Sequence, residues 1–569
     1  MDQELFSPVL LQEIRSKFHY VKNSLYGGER LFLDSVSGAL RLKKMTDRAG
    51  AEIKSYAQKS RIDPASRHFA AVKERFKKDA RLFFGADSGH IIPAMSGTHT
   101  VYRCINAVCS AYKDAGKNIV TSNLEHPAVF ESTHQFAEKY NLERRIADFD
   151  RKKGVVPVEN VLNLIDKDTC LLALIHGSNI TGGVNDVGEI VREARAINPG
   201  IYVVVDGVQY APHRLIDVEE LDVDAYIISG YKIYCKKGSG IGYISERFDE
   251  LPHWQMRERP AGEWAIGAED ESTYAGFSAV ISYLKWLGGQ LIAIDGDKPG
   301  TEKKSSFNKK NFNDKNEKGS SKARSRFYKK TMVRSRFYEK NNFFESDSFN
   351  GSERIHDKSS SGERDNFDER RKIELAMEKI SSHTKGLMKL ALDGFEGYQG
   401  SGNIEEAGDS KETGETGRSG AQGNYCEDKS GDSGKLKNAG IRGLRQMKNV
   451  DILGLQNCPG KRQPAEPVYS HQDRPDHKSE GQNDGQHDDL DLEGRTGLIA
   501  FRIKGKNSNE LAKKYFKEAG ISLSTRERNI YGRHVLEVLG VDDLIRLSVC
   551  HYNSPEEIKS FLQATEKFQ

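Results

Sequence analysis

Short apolar runs alternate with amphipathic stretches from about residue 20 to residue 295 of this 569-residue chain. NIVTSN (118–123), CLLALIHGSN (170–179), IYVVVDG (201–207) and DAYIISG (224–230) are short strands by this pattern. VNDVGEIVREARAI (184–197), between two of them, has helical spacing. Strands alternating with helices predict a mostly parallel sheet wrapped by helices. A helix over ISYLKWLGG (281–289) closes this region.

The pattern then breaks. Residues 296–369 are rich in Lys, Asn, Ser and Phe, and carry a short repeat, RSRFYKK (324–330) and RSRFYEK (334–340). Helical spacing returns at RRKIELAMEKISSHTKGLMKLAL (370–392), through Ile373, Met377, Ile380, Leu387 and Leu390. A polar stretch rich in Gly, Ser, Asp and Glu follows over 399–494 and ends in the acidic HDDLDLE. A strand is predicted over GLIAFRIKG (497–505), a helix over NELAKKYFKEAG (509–520) and a strand over LIRLSV (544–549). The last helix is SPEEIKSFLQAT (554–565), with Ser554 as N-cap, Pro555 in the first turn and Glu557 completing a capping box. The organisation expected is an N-terminal segment (1–27), a large domain (28–295), a basic insert (296–369), the start of a small domain (370–398), a polar insert (399–494) and the C-terminal part of the small domain (495–569).

Composition sharpens this picture. At 37% hydrophobic and 30% charged residues the chain is too polar for one compact globule of its length, so both inserts are expected to be disordered. A net charge of +3 gives no global signal for nucleic acid. The block from Lys298 to Lys340 holds 15 basic and 4 acidic residues, and any nucleic-acid contact is expected only there. The seven cysteines are scattered without a CxxC pair, which gives no metal or redox motif and fits a reducing compartment. The N-terminus lacks a secretory pattern, no stretch approaches a membrane span, and a cytoplasmic location is expected.

The candidate chemistry lies at strand ends. VVVDGVQ (203–209) ends its apolar run at Asp206, and AYIIS (225–229) leads through Ser229 to Lys232. Ligands of α/β sheets bind outside the carboxyl ends of strands. A lysine amine forms Schiff bases with aldehydes, and pyridoxal phosphate (PLP) is held that way with an acidic residue on its ring nitrogen. Spacing alone serves equally a surface lysine and a turn aspartate. The glycines of GSGIG (238–242) do not make a dinucleotide loop, because a strand pattern and not a helix follows them.

The segment VVVDGVQYAPHRLIDVEELDVDAYIISGYKIYCKKGSGIGYIS (203–245) resembles the PLP site of the class V aminotransferase family, in its cysteine desulfurase-like branch. The resemblance runs over 28–290, 370–395 and 497–569. It implies PLP fold type I: a large domain with a mostly parallel seven-stranded sheet, a small C-terminal α/β domain, and a homodimer with sites at the interface. In SGTHTVYRCIN (96–106), Gly97 and Thr98 match the phosphate cradle. In SNLEHPAVFES (122–132), His126 takes the place of the histidine that stacks on the cofactor ring. In HGSNITGGVNDV (176–187), Asn179 matches the residue that approaches the cofactor's phenolic oxygen, as does Gln209. Ser229 is implied as a phosphate ligand, Lys232 as the Schiff-base lysine and Asp206 as the partner of the ring nitrogen. In LIRLSVCHYNSPEEI (544–558), Arg546 is implied to hold the substrate α-carboxylate.

The resemblance implies catalysis on an amino acid by Lys232, His126 and Asp206, with C–S or C–Se lyase chemistry or, alternatively, class V transamination. Two departures stand out. The desulfurases' acceptor cysteine has no counterpart in STRERNIYGRHVLEVLGVDD (524–543), and Gly267–Ala268 stands where the family has Gly-Thr. Cys235, three residues after Lys232, and Cys550, just after Arg546, are each expected to be buried or incidental. A third reading, from another class, is a non-catalytic interaction protein acting through its inserts. No metal site is expected.

Overall fold

The computed structural model describes residues 4–54, 63–255, 260, 262–266, 269–296, 362–395, 440–455, 492 and 494–569. Met1–Leu291 with Asp368–Gln569 form one compact unit; the second, Ile292–Phe367, is described only where one helix ends and another begins. The basic block and its repeat, Gly267 and Ala268, and most of 399–494 lie outside the described residues.

The large sheet has seven strands: β1 (His90–Ala94), β2 (Asn118–Ser122), β3 (Glu143–Ala147), β4 (Thr169–Ile175), β5 (Tyr202–Asp206), β6 (Ala225–Ser229) and β7 (Gly240–Ile244). Their order is β1-β7-β6-β5-β4-β2-β3. Only β7 runs antiparallel to its neighbours. Every residue of β2, β4, β6 and β7 is buried, which is why β4 and β6 read as nearly continuous apolar runs. The period of two splits their side chains between two cores. Leu172, Leu174, Val203, Val205, Tyr226 and Ile228 face one side; Leu171, Ala173, Val204, Ala225 and Ile227 face the other.

Two helices start at the carboxyl edge of this sheet, α1 (Gly97–Ala111) and α2 (Pro127–Tyr140), and α3 (Val187–Ile197) follows the loop after β4. The long helices α4 (Glu271–Gly296) and α5 (Gly362–Asp393) lead toward the small domain. By length and apolarity alone α4 is sufficient to cross a membrane, which corrects the expectation that no stretch approaches a span. Its apolar residues are used in the core instead: Tyr274, Phe277, Val280, Ile281, Leu284 and Leu287 are buried there, and Lys285 pairs with the buried Asp79 at 3.3 Å.

The small domain is a four-stranded antiparallel sheet ordered β8-β9-β11-β10, from β8 (Val450–Leu453), β9 (Leu498–Ile503), β10 (Ser524–Glu527) and β11 (Asp543–Ser548). Helices α6 (Ser508–Ala519), α7 (Arg533–Leu539) and α8 (Pro555–Phe568) complete it. Strand β8 falls inside the stretch expected to be a polar insert, and residues 440–455 are ordered there. VDIL is four residues long with a charge in it, too short for a period-two signal to rise above its polar surroundings. The capping box of Ser554 and Glu557 is present. A further helix, Pro8–Ser16, forms in the N-terminal segment, where Arg15 pairs with Glu557 at 2.8 Å.

One buried side chain ties the two domains. Arg495 donates to Thr181 O at 3.2 Å, to Lys153 O at 2.6 Å and to Gly454 O, so it joins β8 to the loop after β4. Hydrogen bonds from a charged donor are each worth about 1.5–3 kcal/mol when deletion strands buried acceptors. Arg495→Ala is therefore expected to lower unfolding stability by about 3 kcal/mol, read from urea midpoints. A loss below about 1 kcal/mol would show that these bonds add little to the joint between the domains.

Candidate active site

Four loops leave the carboxyl ends of β2, β4, β5 and β6 on the same edge of the sheet, and each carries one of the residues singled out above. Strand β6 ends at Ser229 and turns at once into a 3-10 turn, Gly230–Lys232. Tyr234 follows with φ 60°, a left-handed conformation that costs a non-glycine residue roughly 1–2 kcal/mol. Its hydroxyl donates to Pro212 O at 2.8 Å, and Cys235 N donates to Gly230 O at 3.0 Å. This tight turn holds Lys232 with 7% of its surface exposed.

The amine of Lys232 donates to the carbonyl of Val36. Burial pushes it down to about 7, with Arg546 next in effect and Arg526 adding to it; Asp34 and Asp206 oppose them. Near neutral pH a substantial fraction of the amine is unprotonated and nucleophilic, which an exposed lysine does not achieve.

Asp206 closes β5. Its Oδ1 accepts from Val208 N at 3.0 Å, and burial raises the carboxyl to about 6. His126 caps α2, its Nδ1 accepting from Ala128 N at 3.1 Å, so a neutral ring carries its proton on Nε2. Burial, then Lys232, pushes this ring down to about 4, and it is neutral in the working pH range. Gln209 Nε2 donates at 3.1 Å to Val36 O, the carbonyl that also receives Lys232. Asn179 is buried in the loop after β4, and its backbone oxygen accepts from Arg546 Nη1 at 2.7 Å.

Ser229 lies against the start of α1. A Cβ placed on Gly97 would sit 2.4 Å from Ser229 Oγ, so only glycine lets the serine hydroxyl come this close to the start of the helix. Ser96 caps the helix by accepting from His99 N at 3.1 Å, and the earlier N–H groups of the first turn have no intrahelical partner. A hydroxyl beside a helix N-terminus suits a phosphate dianion. Thr98 is exposed in that first turn.

Arg546 lies on β11 and is completely buried. Its Nη2 reaches Ser37 Oγ at 3.4 Å, its Nε is buried without a partner, and burial followed by Arg526 lowers its affinity for its proton. An unsatisfied guanidinium edge facing the site is what a bidentate carboxylate would complete. Cys235 and Cys550 are buried, with thiols raised to about 11 and about 12, so neither forms a thiolate readily.

Several site residues went unrecognised in the sequence. The strap 34–38 supplies Asp34, the Val36 carbonyl and Ser37 Oγ; a backbone carbonyl has no sequence signal. Arg526, on β10, acts on Lys232, His126 and Arg546. Its signal was position, one strand over from Arg546. Glu125, beside His126, is buried beneath the site, accepts from Ser122 Oγ at 2.5 Å through Oε1, and has a buried, unpartnered Oε2. Burial raises it to about 8, so it holds a proton at neutral pH. His534 of α7 locks this segment from the small domain, with Nε2 2.8 Å from Glu125 O and its ring stacked on Phe130.

Because Glu125 is raised in the folded state, the native protein binds more protons than the unfolded chain between its unfolded value of about 4.5 and about 8. Its contribution to stability is full below that window and is lost as pH rises through it. Glu125→Gln keeps the Ser122 bond and abolishes the titration. It is expected to flatten the fall in stability between pH 5.5 and 8 by up to about 1.4 kcal/mol per pH unit, measured by denaturation at a series of pH values. An unchanged slope would mean that Glu125 is not the group that takes up the proton.

The profile of the family described as aminotransferase class-V matches residues 31–259. A cysteine desulfurase of Escherichia coli O9:H4 is 31% identical over 253 residues, which is 43% of this chain and 61% of that protein. A cysteine desulfurase of Salmonella choleraesuis is 30% identical over 300 residues, covering 49% of this chain and 72% of its own length. Among solved structures, the apo cysteine desulfurase of Thermococcus onnurineus superposes with a TM-score of 0.61 at 15% identity, over 98% of this chain and 97% of that one. The E. coli cysteine desulfurase CsdA gives 0.60 at 15% identity, over 99% and 98%. At that identity the structures speak for the fold, and the sequence matches carry the family. The chain belongs to the aminotransferase class-V family.

Proposed function

We propose that the protein is a PLP-dependent enzyme acting on an amino acid, with cysteine desulfurase-like C–S or C–Se lyase chemistry and without the usual acceptor cysteine. One observation carries this reading: the buried amine of Lys232, its proton affinity lowered by burial, shares an edge with the Ser229 hydroxyl packed against the helix start at Gly97 and a buried carboxylate at Asp206. The residues fit the cofactor. Ser229 and the first turn of α1, with Gly97 and Thr98, would hold its phosphate; Asp206 its ring nitrogen; Asn179 and Gln209 its phenolic oxygen; His126 its face; and Lys232 its aldehyde carbon. When bound, PLP supplies an electron sink for a carbanion at the substrate α-carbon.

The chain's own residues then have separable tasks. Arg546 binds the α-carboxylate and so orients the α-carbon over the Lys232 edge. Lys232, once its amine is released, takes the α-proton; its depressed proton affinity lets it act as a base near neutral pH. Asp206 stays ionised above about pH 6 and stabilises positive charge on the ring nitrogen. His126 is neutral, so it can pack on an aromatic ring without burying a charge.

The absence of cysteine from 524–543, with Cys235 and Cys550 buried, supports a reaction that does not pass sulfur to a thiol at either of these places. The same observation favours class V transamination as a second reading. A homodimer is proposed on family grounds. The interaction-protein reading draws no support from the described residues, because its basic block lies outside them.

Reconstitution with PLP is expected to give a near-visible absorption band that Lys232→Ala lacks. Addition of a panel of amino acids should shift the band. Release of alanine with zero-valent sulfur or selenium, read as sulfide or selenide after reduction by an added thiol, identifies the lyase; a keto acid identifies the transaminase. A wild-type chain that gains no band from PLP would contradict the enzyme reading.

A further inference from the structure

The small sheet presents two guanidinium groups to the site. Across the β10–β11 ladder Ser524 pairs with Arg546, and Arg526 pairs with Leu544. Paired residues share a face, and so do residues two apart, so Arg526 and Arg546 lie on the same face as diagonal neighbours. That face is turned to the large domain: Leu544 belongs to the large-domain core, whereas Ile545 and Leu547 belong to the core of the small domain.

Both guanidinium groups are short of acceptors. Arg526 Nη1 donates to the carbonyl of its neighbour Thr525 at 3.1 Å, and its Nε is buried without a partner, as is Nε of Arg546. Asp34 acts on both arginines, and its own Oδ1 is buried without a partner. The charged groups acting on Lys232 are Arg546, Arg526, Asp34 and Asp206. Asp206 stands at the far side, at the end of β5. Two like charges on one face, each with an open donor edge, are costly to desolvate unless an anion arrives at each. The α-carboxylate of an amino acid answers Arg546. It leaves Nε of Arg526 without an acceptor, with the charge of Asp34 shared between the two arginines.

We propose that Arg526 reads a second anion on the substrate, so that the preferred amino acid carries an anionic side chain of aspartate or glutamate size. This rests on the reading of the chain as a PLP enzyme, in its transamination form because aspartate and glutamate carry no C–S or C–Se bond, and names the substrate class for that site. The chemistry recognised is a two-oxygen anion on a short side chain, held by a planar fork of N–H donors as the α-carboxylate is held by Arg546.

The test is a titration of the PLP-loaded full-length protein with L-aspartate against L-asparagine and L-glutamate against L-glutamine, following the near-visible band. The acid of at least one pair is expected to half-saturate at a concentration about 10- to 100-fold lower than its amide. In Arg526→Gln that ratio should collapse to within about 3-fold, and Arg526→Lys should restore part of it, since an ammonium keeps the charge but not the fork. Equal half-saturation of acid and amide in the wild type would overturn the proposal without any variant. So would a wild-type preference that survives in Arg526→Gln. A protein that takes up no PLP would remove both this proposal and the reading beneath it; one that takes up PLP and responds equally to acids and amides removes this proposal alone.

Discussion

Everything at this site depends on taking one lysine amine out of water without giving it a counter-ion. The Lys232 amine rests on a neutral carbonyl, that of Val36, and the charges that act on it are two guanidinium groups and two carboxylates. Burial penalises the ammonium, and the arginines penalise it further. The effect requires both domains. The large sheet supplies the strand end and the tight turn at Tyr234 that bury the lysine; the small sheet supplies Arg546 and Arg526. Opening the contact between them would admit water, raise the effective dielectric and return the amine toward an ordinary lysine.

The same dependence explains the interdomain contacts. Arg495 fastens β8 to the loop that carries Asn179, and His534 fastens α7 to the segment that carries Glu125 and His126. The strap 34–38 lies between the sheets, where Val36 N donates to Ser548 Oγ at 2.9 Å and Val36 O receives Lys232 and Gln209. Each tie ends within a few residues of a group that the proposed chemistry uses. Structural and chemical roles therefore overlap in this region, and substitutions in the ties should be judged by site readouts as well as by stability.

Much of this was legible in the sequence. The central strands announced themselves because burial on both faces leaves β4 and β6 apolar except at their ends, Thr169 and Ser229, and α8 announced itself through Ser554, Pro555 and Glu557. Asp206, Ser229 and Lys232 were found because strand ends are where α/β sheets bind ligands. Three things were not legible. Strand β8 is short and polar, and its pairing with β9 is decided by tertiary contacts. The Val36 carbonyl is identical in sequence terms to every other carbonyl. Arg526 became visible only when the ladder placed it diagonally from Arg546, since strand pairing brings together residues whose register no linear pattern encodes. The apolarity of α4 was underrated for the opposite reason: a helix buried on most sides in a large core approaches the composition of a membrane span.

The central claim, that Lys232 is the residue whose buried amine captures PLP, is tested most directly by chemistry on the intact protein. The PLP-loaded chain would be reduced with borohydride, digested and mapped by mass spectrometry. The account predicts a single stable pyridoxyl adduct on the peptide containing Lys232, at near one equivalent per chain. An adduct distributed over other lysines, or none on that peptide although PLP had bound, would contradict it.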